Sequence, residues 1–151
     1  MEQLSPFFMI VEERANPIVS DVLFESTTAT LDEVGATYER VTVPNVFEIP
    51  AAVSYAIRGH EFFSGRRRFD GYIALGCVIK GDQSYGGQSF GNCLRGIQDL
   101  MIGHSLALGN GVFAAESREL AKKSAKIIGA EAAQGALDML KLKRHFGMKP
   151  R

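Results

Sequence analysis

The stretch Gly71-Tyr-Ile-Ala-Leu-Gly-Cys-Val-Ile-Lys-Gly-Asp-Gln-Ser-Tyr-Gly-Gly87 decides the fold. It opens as an apolar run, Tyr72 to Leu75, and continues through Gly76, Cys77, Val78 and Ile79. It then breaks into a glycine-rich loop holding one charge of each sign, Lys80 and Asp82. An apolar run without alternation marks a strand buried on both faces, as in a parallel sheet. The loop after such a strand lies at its carboxyl end, where open α/β sheets bind ligands. A flexible polar exit is also what any buried strand needs, so the loop alone is a weak signal.

Working upstream, Val46-Phe-Glu-Ile-Pro50 is a second polar interruption in apolar surroundings. Glu48 stands between Phe47 and Ile49, so a carboxylate is expected at a strand end close to a helix start. It either offsets the helix N-terminus, an effect worth ~0.3–1 kcal/mol, or accepts bonds from a ligand. Ala51 to Arg58 reads as the following helix, stopped by Gly59. Before it, Tyr38 to Val43 reads as a strand that Pro44-Asn45 breaks. Phe7 to Val11 is the first strand, and the charged Glu12-Glu-Arg-Ala-Asn16 follows it. Pro17 suits a first helical turn with Asn16 as its cap. That helix is expected to reach about Val34, with Gly35 as its stop. Its middle, Ser26-Thr-Thr-Ala-Thr30, is a poor helix former.

Downstream, Gly91 to Gly103 carries Leu94, Ile97 and Met101 at helical spacing. Ser105 to Leu108 is an apolar piece that Gly109-Asn-Gly111 interrupts before Val112-Phe113 resumes it. Glu116 to Ile128 reads as one helix, and Ala133, Ala136, Leu137 and Leu140 mark a face of the last. Repeated strand–helix units predict a parallel sheet with helices on both faces. The reading is one α/β domain over residues 1–151, with a cleft built from Glu48, the Gly81 loop and the Asn110 turn.

Composition narrows the function. Lys plus Arg and Asp plus Glu both count 17, so no net charge draws the chain to nucleic acid or membrane. The cluster Arg66-Arg67-Arg68 is too short for a nucleic-acid footprint and reads as solvated surface. No apolar run approaches the ~20 residues of a membrane span. The N-terminus, Met-Glu-Gln-Leu-Ser-Pro, lacks the basic start of a secretory signal. A cytoplasmic protein is expected. Cys77 and Cys93 suit reduced thiols, and neither has a neighbour that suggests a metal. His60, His104 and His145 are scattered, so the glycine loop has no local histidine as general base.

Three segments carry a resemblance: Pro44-Asn-Val-Phe-Glu-Ile-Pro50, Ala74-Leu-Gly-Cys-Val-Ile-Lys-Gly81, and Ala107-Leu-Gly-Asn-Gly-Val112 with Glu116. Together they resemble 6,7-dimethyl-8-ribityllumazine synthase over nearly the whole chain. The resemblance implies a flavodoxin-like three-layer α/β/α sandwich with a four-stranded parallel sheet. It implies condensation of 5-amino-6-ribitylamino-uracil with 3,4-dihydroxy-2-butanone 4-phosphate in riboflavin biosynthesis, without metal or organic cofactor. It also implies a homo-oligomer built on pentamers, each site shared between subunits.

By the same resemblance, Val46, Phe47 and Glu48 hold the ribityl chain and pyrimidine. Cys77, Val78 and Ile79 supply backbone beside the ring. Lys80 and Gly81 lead to Asp82 and Gln83 at the phosphate, and Asn110 is lent to a neighbouring subunit's pocket. The chain departs from the family at several places. Tyr85 stands where the family's proton-moving histidine belongs, Ala15 where an aromatic residue stacks on the pyrimidine, and Ser124 where an arginine holds the phosphate. A few residues are missing between Ile128 and Ala132. Two functions follow: a synthase in which Tyr85, Lys80 or water replaces the missing groups, or a catalytically impaired homologue serving as a flavin- or lumazine-binding or assembly subunit.

Overall fold

The computed structural model describes residues 5–62, 65, 67–81 and 87–148. Its elements are β1 (Phe7–Glu13), α1 (Pro17–Glu33), β2 (Thr37–Val43), a 3₁₀ turn (Val46–Glu48), α2 (Ile49–Phe62), β3 (Gly71–Ile79), α3 (Gly87–His104), β4 (Leu108–Ala115) and α4 (Arg118–His145). The four strands form one parallel sheet in the order β2-β1-β3-β4. All nine residues of β3 are buried, as the unbroken apolar run requires.

Alternate side chains of each strand feed two cores. Phe8, Ile10, Ile73 and Leu75 pack with Leu23 and Leu31 of α1 and the alanines of α4. Met9, Val11, Ala74 and Val78 pack with Val46, Ile49, Val53, Cys93 and Ile97 from the 3₁₀ turn, α2 and α3. The molecule is thus a three-layer α/β/α sandwich.

Helix α1 forms despite its hydroxyl-rich middle because those hydroxyls join two helices. Thr27 Oγ1 donates to the Gly129 carbonyl of α4 at 3.0 Å, and Ser26 Oγ donates to the Lys126 carbonyl. Each such bond contributes about 0.5–1.5 kcal/mol net. Apart from Leu140, the buried residues of α4 are all small: Ala121, Ala125, Gly129, Ala132, Ala133 and Ala136. Gly35 ends the turn after α1 at φ +69°, the left-handed conformation that glycine adopts without strain.

Four expectations need correction. Helix α2 begins at Ile49 and runs through Gly59 to Phe62, because Pro50 in the first turn sacrifices no helical hydrogen bond. Asn16 occupies the N-cap of α1 but makes no side-chain cap bond; its carbonyl accepts from the Ser20 amide at 2.9 Å instead. Gly109-Asn110-Gly111 is no turn but the inside of β4, with Asn110 opposite Ala74 of β3. Gly109 is required by close approach: a Cβ there would lie 1.8 Å from the Ala132 carbonyl oxygen of α4. Finally, the last two helices are one 28-residue helix that passes through Gly129.

The basic cluster is partly structural. Arg67 donates to the Ser5 carbonyl at 2.6 Å and lies over the Phe7 ring at 4.9 Å. Arg66 lies outside the described residues.

Candidate functional site

The carboxyl ends of the strands bring part of the expected set to one edge. Crossing the sheet from β2, the edge carries the 3₁₀ turn, the Ala15 turn after β1, Lys80–Gly81 after β3, and Glu116 after β4. The chain goes from β1 outward to β2, then returns to place β3 on the other side of β1. The carboxyl ends of β1 and β3 therefore flank the switch point where such sheets bind ligands.

In the 3₁₀ turn, Val46 is buried and fixes the segment to the core, while Phe47 is 59% exposed at the rim. Glu48 is half-buried, and its Oε2 atom is shielded from solvent with no hydrogen-bond partner among the described residues. A shielded carboxylate oxygen without a donor is costly unless something brings one. Cys77, Val78 and Ile79 are buried in β3. Lys80 Nζ lies 3.8 Å from Glu116 Oε2, an exposed pair that contributes little to stability.

Ala15 is exposed. It lines a hollow of about 290 Å³ with Pro17 and Ile18 of α1 and with Arg118 and Lys122 of α4. Ser124 is half-buried on α4, on the face of the sheet opposite the 3₁₀ turn. Asp82, Gln83 and Tyr85 lie outside the described residues.

Asn110 does not join this group. It precedes the end of β4 by five residues, about 16 Å along a strand. It sits exposed on an edge strand, where its side chain accepts from the Val112 amide at 3.0 Å and donates to the Val112 carbonyl at 3.4 Å. Its local task is to occupy ladder groups that the edge leaves open. The cleft within one chain is therefore built without it.

The charged tail of β1 escaped the sequence reading. Glu12 and Glu13 follow the apolar run, yet both are buried. Glu12 points to the α1 side, where Oε1 accepts from Arg14 Nη1 at 2.9 Å and Arg40 Nη2 at 2.7 Å. Arg14 also holds Asp21 at 2.8 Å, and these bonds keep its guanidinium more firmly protonated than usual. The signal was available only as charges 28 residues apart on neighbouring strands.

Removing Arg14 and Arg40 together would leave Glu12 buried without counter-charge. The Arg14→Ala/Arg40→Ala double variant is expected to lose about 3–5 kcal/mol in urea unfolding. Each single variant, still holding one arginine, should lose clearly less than half of that.

Cys77 and Cys93 are buried and not joined in a disulfide, and burial pushes the Cys93 thiol up to about 12. Among the described residues, no group of three or more His, Cys, Asp or Glu is placed to hold a metal, and no helix is long and apolar enough to cross a membrane.

Comparison with known proteins points to one family. The family model described as 6,7-dimethyl-8-ribityllumazine synthase matches residues 6–144. Proteins of that name are similar in Paramagnetospirillum magneticum (34% identical, covering 93% of this chain and 96% of the relative) and Agrobacterium fabrum (37%, 94% and 97%). A third, in Bartonella henselae, is 38% identical over 92% of this chain and 89% of the relative.

Proposed function

Because the chain belongs to the 6,7-dimethyl-8-ribityllumazine synthase family, we propose that it works in riboflavin biosynthesis as the synthase itself. It condenses 5-amino-6-ribitylamino-uracil with 3,4-dihydroxy-2-butanone 4-phosphate and releases phosphate and water. The reaction builds a ring from an amine and a ketone, so its main demands are juxtaposition of the two substrates and movement of protons. Neither demand calls for a metal or an organic cofactor.

The observation that carries this reading is the shielded Glu48 oxygen at the switch-point edge. A polyol chain brings hydroxyl donors, and Glu48 beside the exposed Phe47 is suited to receive them. In this reading Val46, Phe47 and Glu48 hold the ribityl chain, and the pyrimidine lies by Ala15 and the Cys77–Ile79 backbone. Lys80, Gly81, Asp82, Gln83 and Ser124 surround the phosphate, and Tyr85 takes the position of the proton carrier. The relatives, named as synthases, favour this over a subunit that only binds or assembles.

We assign the chain to a cytoplasmic homo-oligomer built on pentamers, with Asn110 lent to the neighbour. Tyr55 and Phe62 of α2, 73% and 76% exposed, together with Phe47, offer an apolar surface for a second copy. Purified protein mixed with both substrates should form lumazine absorbance above the uncatalysed background. Absorbance that never exceeds that background would end the proposal.

A further inference from the structure

Glu13 is the last residue of β1, yet its carboxylate turns inward and the residue is 2% exposed. The reason lies in how β1 ends. Its main-chain carbonyl accepts the Ser20 hydroxyl of α1 at 2.8 Å as the chain bends into the helix. The β1–β3 ladder stops at Glu12 opposite Leu75, while β3 continues to Ile79. The Cys77 amide thus emerges on the β1 side beyond the last ladder pair, buried and in need of an acceptor. Glu13 Oε1 accepts that amide at 2.7 Å, and Oε2 accepts the Ala15 amide at 2.9 Å. The carboxylate replaces the missing strand.

Its surroundings are those of the proposed pocket. A Cβ on Gly76 would come within 2.8 Å of Glu13 Cγ and 2.9 Å of Val46 Cγ1, so Glu13 also fills the space between β3 and the 3₁₀ turn. One side chain therefore bonds Ala15 and Cys77 and packs beside Val46, three positions around the proposed ligand.

We propose that Glu13 is a positioning residue: by clasping the Ala15 turn to the Cys77 backbone, it fixes the wall against which the substrate's pyrimidine ring lies. The inference rests on the proposed ribityl-pyrimidine site. With alanine at position 15 there is no ring to stack on the pyrimidine, so the orientation of the ligand depends on the rigidity of the backbone beside it. The Cys77 amide is committed to the carboxylate, which leaves ring recognition to its neighbours and to Glu48.

Protonation should loosen the clasp. Burial pushes the Glu13 carboxyl above its ordinary value, opposed by the Cys77 and Ala15 amides; Glu12 raises it further and Arg14 lowers it. Cys93 of α3 also faces it and stays a neutral thiol. A protonated Glu13 offers a poorer acceptor to at least one of the two amides.

The test compares wild type with Glu13→Gln, which keeps the volume but cannot accept both amides. A misplacement of about 1 Å costs up to ~10²-fold, so the KM for the aminouracil should rise at least tenfold, with that for the butanone phosphate changed less than twofold. Binding of 6,7-dimethyl-8-ribityllumazine, read by fluorescence quenching, should weaken by a similar factor. In wild type that binding should also weaken as pH falls and Glu13 takes up a proton, and the variant should lose that part of the dependence. Unchanged values, or both KM values raised equally, overturn the proposal. If the variant does not fold, wild-type lumazine affinity that is flat with pH overturns it. Wild-type protein that binds lumazine through Glu13 without turning over substrates removes the synthase reading and keeps this one. Turnover insensitive to Glu13 does the reverse, and absence of lumazine binding in wild type removes both.

Discussion

Gly109→Ala is expected to lower the unfolding free energy by more than about 4 kcal/mol, a large share of the ~5–15 kcal/mol that holds a typical domain together. The added methyl would sit 1.8 Å from the Ala132 carbonyl oxygen, 2.8 Å from its carbonyl carbon and 2.9 Å from the Ala136 amide nitrogen. These are backbone atoms of a helix, so no side chain can rotate out of the way. Relief requires α4 to move more than an ångström from the sheet, and α4 is also tied to α1 by Thr27 and Ser26. Moving it would break those bonds and open the alanine-lined core. Gly59→Ala is the matched control. A Cβ there meets nothing within 4 Å inside helix α2, so it should stabilise by about 0.4–1 kcal/mol. Urea or thermal unfolding of both variants gives the answer. A Gly109→Ala protein within 1 kcal/mol of wild type would show that β4 and α4 are not locked at this contact.

The contrast between those two glycines explains why parts of the chain were readable and others were not. A glycine that needs left-handed backbone sits next to residues that already look like a helix end, so Gly35 was recognised. A glycine that makes room for another element carries no local mark. Gly109 was read as a turn because its reason, Ala132, lies 23 residues further on. Gly59 was read as a stop although the helix crosses it at small cost. The sheet was legible because Phe7–Val11, Tyr38–Val43 and Tyr72–Ile79 are apolar or alternating in themselves. Glu12 and Glu13 were passed over because adjacent carboxylates after a strand ordinarily meet water. Their burial depends on Arg40 and on the Cys77 amide, 28 and 64 residues away. The segments at the ends of β2 and β3 were legible as motifs, and the structure places them at one edge of the sheet. Asn110 was misplaced with Gly109 and Gly111, since a strand interior was taken for its exit.

Restoring the family's groups, Tyr85→His, Ala15→Phe and Ser124→Arg together, is expected to raise turnover by roughly 10²–10⁴ over the parent chain in the two-substrate assay, the range that one well-placed general acid–base group supplies. The three changes should separate kinetically. Ala15 lies exposed beside an open hollow, so a phenyl ring has space, and stacking of ~1–3 kcal/mol should appear chiefly as a lower KM for the aminouracil. A histidine at position 85 titrates near neutrality, unlike a phenol whose ordinary pKa is near ~10, so it should act on kcat and bring a new pH dependence around ~6.5. An arginine at position 124 starts about 10 Å along α4 from its N-cap Ser117. Helical side chains lean toward the N-terminus, so its guanidinium would be directed to the edge that carries Lys80 and Glu116. Its effect should appear as a lower KM for the butanone phosphate. A triple variant no faster than its parent would mean that these positions do not limit the reaction. Lys80, with its Glu116 partner, and water at the same edge would then be left to move the protons.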